Sequence, residues 1–460
     1  MHEGSEVLNG STNYFVVFVS FVVLTASSRV NHIYRESHVK RFWMRALVAL
    51  VGVTTMHAAE DLDGVRGKIF NVDASARGFE LLTETVIDPQ THEGKSRYTV
   101  YWDAETDFSQ IVRHRSFKAI TERVFVEFHS LPERHAAAIE AGQPFRCKHV
   151  KVLPAAVSPL GLSKDRQRLR GWFTVDPTSP KHRDGVIAFN GTSLKASLPG
   201  PHGEVDVYTP ANAAALNEGF WETHIQGTRV DGRFIAKQLE IYPVLDPRTV
   251  DDPALPRVLV VGDSISMNYH EAAKAELAGI ANYYRVEGNA GPSDRGVTCI
   301  ELWLGDYTQK GLHWDLIQFN HGLHDLKQDY DEATKRYGAH QLDLESYKAN
   351  LEKEIAVMRK TGAQLMWCST TPIPKSSVGR WGDRTMGRRN GEDQVFNQAA
   401  LEVLAKHPDI LINDLNKAIR ESEFFDAWSQ GTDVHYWDGA QQVVVGKAVA
   451  QAIKQALARP

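Results

Sequence analysis

Cysteine is scarce in this 460-residue chain: only Cys147, Cys299 and Cys368 occur. None sits in a CxxC pair or a Cys/His cluster, so the sequence offers no structural zinc site. The low, odd count excludes a disulfide-dense scaffold and leaves room for one bridge. An excess of one charge is also missing. The chain has 52 Lys and Arg against 57 Asp and Glu, a formal net charge of −5. Such a balance gives no global pull on nucleic acid. Apolar residues are 42% and charged residues 24% of the chain, which excludes a largely disordered protein and a multi-span membrane protein. No motif implies a metal or an organic cofactor.

Two apolar runs precede residue 60. Tyr14–Ala26 is shorter than the roughly 20 apolar residues of a membrane-spanning helix. The second run starts at Met44 and reads MRALVALVGVTTMHAA. It has a basic start at Arg45, an apolar middle and the small residues Ala58 and Ala59, the layout of a secretory signal peptide. Residues 1–59 are therefore read as a targeting region, with translation starting at Met44 and residues 1–43 lying upstream. The other reading of Tyr14–Ala26 is a short anchor. The mature protein is expected to be exported, periplasmic or secreted, with no stable membrane insertion after cleavage.

The middle of the chain alternates apolar and polar residues with period two, the mark of strands with one face on a core. Segments 60–156 and 165–246 resemble each other. GQPFRCKHVKVLP at Gly142–Pro154 aligns with GRFIAKQLEIYP at Gly232–Pro243. ERHAAAIEAG at Glu133–Gly142 precedes the first closing strand, and PANAAALNEG at Pro210–Gly219 precedes the second. Two consecutive small all-β modules are expected, resembling OB-type barrels. Trp102, Trp172 and Trp221 either stack on carbohydrate or fill barrel cores. The core reading is preferred, because Trp serves packing more often than ligand stacking. A Pro- and Asp-rich linker, Leu245–Pro256, follows.

From Arg257 the pattern changes. RVLVVGDS is a continuous apolar run, as in strands buried on both faces of a parallel sheet. Further strands are read at Tyr283–Gly288, Trp314–Gly322, Ala363–Pro372 and Asp409–Asp414, with helices between them and a last helix at Ala440–Leu457. Residues 255–460 are thus expected to form an α/β domain with a doubly wound parallel sheet. Its site should lie at the carboxyl ends of the strands.

Four polar clusters fall at such ends. They are Gly262-Asp263-Ser264, Gly288–Ser293, Asn320–Asp325 and Asp433-Val434-His435. Their order matches what ester hydrolysis needs. A hydroxyl nucleophile needs a base, the base needs an orienting partner, and the tetrahedral intermediate needs donors for its oxyanion.

These blocks resemble those of SGNH/GDSL-type hydrolases, over roughly residues 255–458. GDS at Gly262–Ser264, NAGPSDRG at Asn289–Gly296, FNHGLHDL at Phe319–Leu326 and DVHYWDGAQ at Asp433–Gln441 carry the likeness. The resemblance implies a flavodoxin-like fold and a serine esterase mechanism with no cofactor. It implies Ser264 as nucleophile, His435 as base and Asp433 as its partner. Gly291 and His324 become oxyanion donors, with Asn320 as a substitute for His324. Two departures stand out. His324 takes the place where the family usually has asparagine, and Asp433 precedes His435 by two residues instead of three.

The segment Gly379–Asp393 is read as a loop whose arginines, Arg380 and Arg384 foremost, either grip a carboxylate- or sulfate-bearing sugar or pair with nearby acids such as Asp383 and Glu392 on a solvated surface. An exported carbohydrate O-deacetylase is the reading preferred, acting on a small-molecule or polysaccharide ester. A lipid or thioester hydrolase is the alternative among enzymes. A binding or scaffold protein with a decayed esterase domain is the alternative among non-enzymes.

Overall fold

The computed structural model describes residues 62–87, 94–199, 203–217, 220–375, 377–381 and 384–459. The targeting region expected at residues 1–59, with its two apolar runs, lies outside the described residues. Among the described residues, no helix is long and apolar enough to cross a membrane. All three cysteines are buried and free, so the bridge that the sequence left open is not made.

The β region does not consist of two consecutive modules. Strands β1 (Arg66–Asp73), β2 (Gly78–Ile87) and β3 (Gly94–His114) are followed by a long insertion. The insertion carries β4 (Val124–His129), helix α1 (Glu133–Glu140), β5 (Phe145–Arg146), β6 (His149–Leu153), β7 (Gly161–Leu162), β8 (Arg168–Val175), β9 (Asp184–Phe189), β10 (Thr192–Ser197) and β11 (Glu204–Ala211). Only then do β12 (Phe220–Val230) and β13 (Arg233–Val244) return to β1 and β3. Antiparallel β1, β2 and β3 together with β12 and β13 close one ring, sealed by the parallel pairing of β13 with β3. The inserted strands form a second ring. There β8 pairs with β9 and β4, β9 with β10, β10 with β5, and β4 with β6.

The boundary expected between 60–156 and 165–246 therefore runs through both rings. The local alternation was right, but alternation states which face is buried and not which strand is the partner.

Each ring has its own core. Phe79, Val100, Trp102, Trp221, Phe234 and Ile241 fill the first. Phe117, Val126, Phe128, Phe145, Phe173 and Ile187 fill the second. Trp102 and Trp221 are thus core residues, whereas Trp172 faces outward under the Arg123 guanidinium. Outside the second ring, Arg170, Glu127, Lys151, Asp206 and Arg113 stand opposite one another on successive strands. Charges of alternating sign across a sheet stabilise the pairing of their strands.

The α/β region has the parallel order β15-β14-β16-β19-β22. These strands are β14 (Arg257–Val261), β15 (Asn282–Arg285), β16 (Leu316–Phe319), β19 (Gln364–Cys368) and β22 (Leu411–Asn413). The central three are almost wholly buried, which explains their continuous apolar runs. The crossovers include helices α2 (Ser264–Glu276), α3 (Ser293–Leu304), α4 (Leu344–Met358) and α5 (Glu392–Leu404). Two short helices, α6 (Leu415–Arg420) and α7 (Phe425–Ser429), lead to α8 (Gly439–Leu457). The expected doubly wound sheet is present, and the order places the switch point between β14 and β16, where the chain reverses its direction of travel across the sheet.

A second, antiparallel sheet was not foreseen. It is made of β17 (Gln328–Asp331), β18 (Arg336–His340), β20 (Ser377–Trp381) and β21 (Arg384–Arg388). The segment read as a loop at Gly379–Asp393 is in fact this β20–β21 hairpin and the start of α5.

The β region touches the α/β region at α3. Lys68 reaches the Leu302 carbonyl at 3.4 Å, and the Arg97 guanidinium lies 4.0 Å from Asp306. The first ring thereby braces the helix that follows the second strand-end cluster.

Helices α2 and α8 pack so closely that a Cβ on Gly446 would lie 2.6 Å from Ala272 Cβ and 2.8 Å from Ala273 N. Gly446→Ala adds helix propensity of up to about 1 kcal/mol. Overpacking against a backbone atom costs about 1–3 kcal/mol, so the net effect should be destabilising. Denaturant unfolding should show a lower midpoint for Gly446→Ala than for the wild type.

Candidate active site

Ser264 is the first residue of α2, directly after β14. Asp263 caps this helix, and its carboxylate accepts the Ile265 N–H at 2.8 Å. The Ser264 N–H has no acceptor among the described residues, as befits the first turn of a helix.

His435 lies just ahead of α8. Its Nε2 is 2.9 Å from Ser264 Oγ, and its Nδ1 is 2.6 Å from Asp433 Oδ1. Asp433 Oδ1 also accepts the His435 backbone N–H at 3.0 Å, and Oδ2 accepts the Trp437 indole N–H at 2.8 Å. Partial burial pushes the Asp433 pKa up, but the Trp437 and His435 donors outweigh it and hold the carboxyl below its ordinary value. An anionic Asp433 fixes the proton of His435 on Nδ1. The Nε2 lone pair is then left facing the serine hydroxyl. The two-residue spacing of Asp433 and His435 does not keep them apart, because one carboxylate oxygen bridges the backbone N–H and the ring of the same histidine.

His324 Nδ1 lies 3.0 Å from Lys327 Nζ. Burial, with the charges of Lys327 and Arg388, pushes the His324 pKa down to about 2, so the imidazole is neutral. Lys327 is itself lowered by burial to about 8, and at neutral pH it is still mainly an ammonium that can only donate. His324 Nδ1 must accept, and the ring proton sits on Nε2. A neutral ring with a fixed Nε2–H is a hydrogen-bond donor without a full charge.

The other expected oxyanion donors are engaged elsewhere. Asn320 Nδ2 donates to the Cys368 carbonyl at 2.7 Å and so ties the end of β16 to β19. One of its two N–H groups is committed to that tie, and Nδ2 also lies 3.4 Å from Thr370 Oγ1. Gly291 adopts a φ of +68°, and its N–H donates to Asn289 Oδ1 at 2.8 Å in a tight turn. Its carbonyl faces His321 Nδ1 at 3.0 Å.

The arginines also depart from expectation. Arg384 is exposed and pairs with Asp329 on the neighbouring strand, with Nε 3.0 Å from Oδ1. Arg380 is exposed on β20. The inward arginine is Arg388, which is buried and donates to the Leu323 carbonyl at 2.7 Å. Burial lowers its pKa to about 10, while the charges of Asp263 and Asp433 favour its proton.

Beneath the site is a buried polar network that motif reading did not single out. His321 Nε2 is 3.0 Å from Glu354 Oε2, and both side chains are fully buried. Burial opposes a charge on His321. The Glu354 carboxylate in contact with it, helped by Asp325, outweighs burial and holds the His321 pKa at about 9. Its two N–H groups then donate to Gly291 O and Glu354. Asp325 accepts the Ser293 N–H at 2.9 Å, the Ser293 hydroxyl at 2.5 Å and the Gly322 N–H at 3.0 Å. A Cβ on Gly296 would lie 2.4 Å from the Glu354 carboxyl, so only glycine in α3 lets Glu354 enter from α4. The second and third clusters are thus locked to each other. His321 and Asp325 lie within the quoted FNHGLHDL block, but nothing in their local pattern named Glu354 as partner.

No family model and no curated protein matches the chain. Among solved structures it is similar to a GDSL-like lipase from Bacteroides thetaiotaomicron VPI-5482, at 14% identity and a TM-score of 0.32, covering 44% of this chain and 88% of that one. An acetyl xylan esterase is similar at 13% identity and a TM-score of 0.32, covering 43% and 99%. The C-terminal catalytic domain of Streptococcus pneumoniae peptidoglycan O-acetyltransferase A is similar at 16% identity and a TM-score of 0.30, covering 45% and 97%. These neighbours are enzymes of ester chemistry, and the GDSL type read from the strand-end blocks is named among them. At such low identity and TM-score they carry no residue roles across to this chain.

The folded protein holds the His321 proton more tightly than the unfolded chain, whose histidine titrates near 6.5. The pair therefore contributes stability fully below pH 6.5 and loses it as the pH rises toward about 9. Melting temperature measured across this window should fall in the wild type. The fall should be smaller in Glu354→Gln, which removes the charge that holds the proton.

Proposed function

We propose that this chain is a serine esterase working through an acyl-enzyme, with Ser264 as nucleophile, His435 as general base and Asp433 as its orienting anion. One observation carries the reading: Ser264 Oγ, His435 Nε2, His435 Nδ1 and Asp433 Oδ1 form an unbroken relay with contacts of 2.9 Å and 2.6 Å.

In the first half-reaction the Ser264 proton passes to His435 Nε2 as Oγ bonds to the ester carbonyl carbon. The carbonyl oxygen becomes an oxyanion, held by the Ser264 N–H and the His324 Nε2–H. Collapse breaks the bond to the alcohol oxygen, which leaves with the proton from His435. In the second half-reaction water gives a proton to His435 and attacks the acyl carbon. The carboxylic acid leaves, and the proton returns to Ser264 Oγ.

The substrate proposed is an O-acetylated carbohydrate outside the cytoplasm. The signal-peptide layout of Met44–Ala59 supports export.

Hydrolysis of p-nitrophenyl acetate by the full chain tests the roles. Ser264→Ala should abolish turnover. His324→Ala should lower kcat by about 10²–10³ while leaving turnover measurable, as loss of one oxyanion donor does. A wild-type rate in His324→Ala would remove His324 from the reaction.

A further inference from the structure

Trp437 is 67% exposed, an unusual position for so large an apolar ring. It is also held still. Its indole N–H donates to Asp433 Oδ2 at 2.8 Å, and its ring lies against the His435 imidazole, with centroids 5.1 Å apart and planes at 36°. An exposed ring fixed by a hydrogen bond meets a ligand without losing side-chain freedom at that moment.

The neighbour sets which part of a substrate it would meet. Under the esterase reading, on which this inference rests, His435 Nε2 delivers the proton to the departing alcohol oxygen. The alcohol part of the ester must therefore lie at His435, and so beside Trp437, while the acyl carbon lies at Ser264 Oγ.

We infer that Trp437 is the docking platform for the alcohol part of the substrate, and that this alcohol is a pyranose sugar. A pyranose offers a flat face of C–H groups to an indole and a rim of hydroxyls to its surroundings. The surroundings of Trp437 suit such a rim: the Asp433 carboxylate, half exposed at the indole edge, is an acceptor for hydroxyls, and the rest of the ring borders solvent. A long hydrocarbon alcohol would gain the same ring face but set its chain against a carboxylate and water.

The test compares Trp437→Phe with Trp437→Ala in the full chain. Both lose the N–H to Asp433, and only Phe keeps an aromatic face. Three acetate esters serve as probes: ethyl acetate, phenyl acetate and peracetylated methyl xylopyranoside, each followed by acid release. Both variants should show the same lowered kcat on ethyl acetate. On the sugar acetate, KM should rise about tenfold in Trp437→Ala relative to Trp437→Phe, the loss of about 1.4 kcal/mol of stacking. Equal KM values for the two variants on the sugar acetate would overturn the inference. So would a KM difference on phenyl acetate with none on the sugar, which would make the platform one for aromatic alcohols. Failure of the esterase reading looks different: wild type and Ser264→Ala would then be equally inert on all three esters.

Discussion

Ser264 and His435 are 171 residues apart in sequence, and their 2.9 Å contact depends on two helices lying nearly in touch. Ser264 opens α2, and His435 stands just ahead of α8. Where these helices cross, Gly446 lets one backbone approach Ala272 and Ala273 of the other without a side chain between them. A shift of one helix by a fraction of an ångström would lengthen the hydrogen bond on which proton transfer relies. The buried apolar strands of the sheet fix the other end of α2, because β14 delivers the chain to Ser264 from the middle of the core. The geometry of the proposed triad is a consequence of helix packing on a rigid parallel sheet.

A second constraint is electrostatic. His321, Glu354 and Asp325 are ionisable groups taken out of water together: His321 and Glu354 bond to each other, and Asp325 is held by Ser293 and by the Gly322 N–H. The arrangement ties the turn at Gly291 to the strand end at Gly322 and the start of α3. His324 then sits on a fixed turn, with its tautomer set by Lys327. Structure outside the α/β region contributes as well, since the first β ring packs on α3 through Lys68 and Arg97.

The α/β order and the residues that meet at the end of β14, Ser264, His435 and Asp433, are legible because their signals are local. RVLVVGDS announces a buried strand and the residue that ends it, and DVH places an acid and a base within one turn. The β rings were not legible, because β3 runs from one ring toward the other and its partners β12 and β13 come after a long insertion. The arginines show the same limit. Arg384 and Arg388 belong to one strand, yet the first is exposed and the second buried, since β21 runs inward from its solvent end. Gly291 and Asn320 stand where motif reading expects donors, but the Gly291 N–H is already bonded to Asn289 and one Asn320 N–H to the Cys368 carbonyl. Trp437 was passed over because nothing in DVHYWDGAQ tells an exposed ring from a buried one, and its neighbour Tyr436 is in fact fully buried.

The central claim is that Ser264 is a nucleophile activated by His435. Treating the full chain with a fluorophosphonate, then mapping the modified peptide by mass spectrometry, tests it most directly. The account predicts one adduct, on Ser264, formed much more slowly in His435→Ala. No adduct on the wild type, or an adduct on another residue, would contradict it.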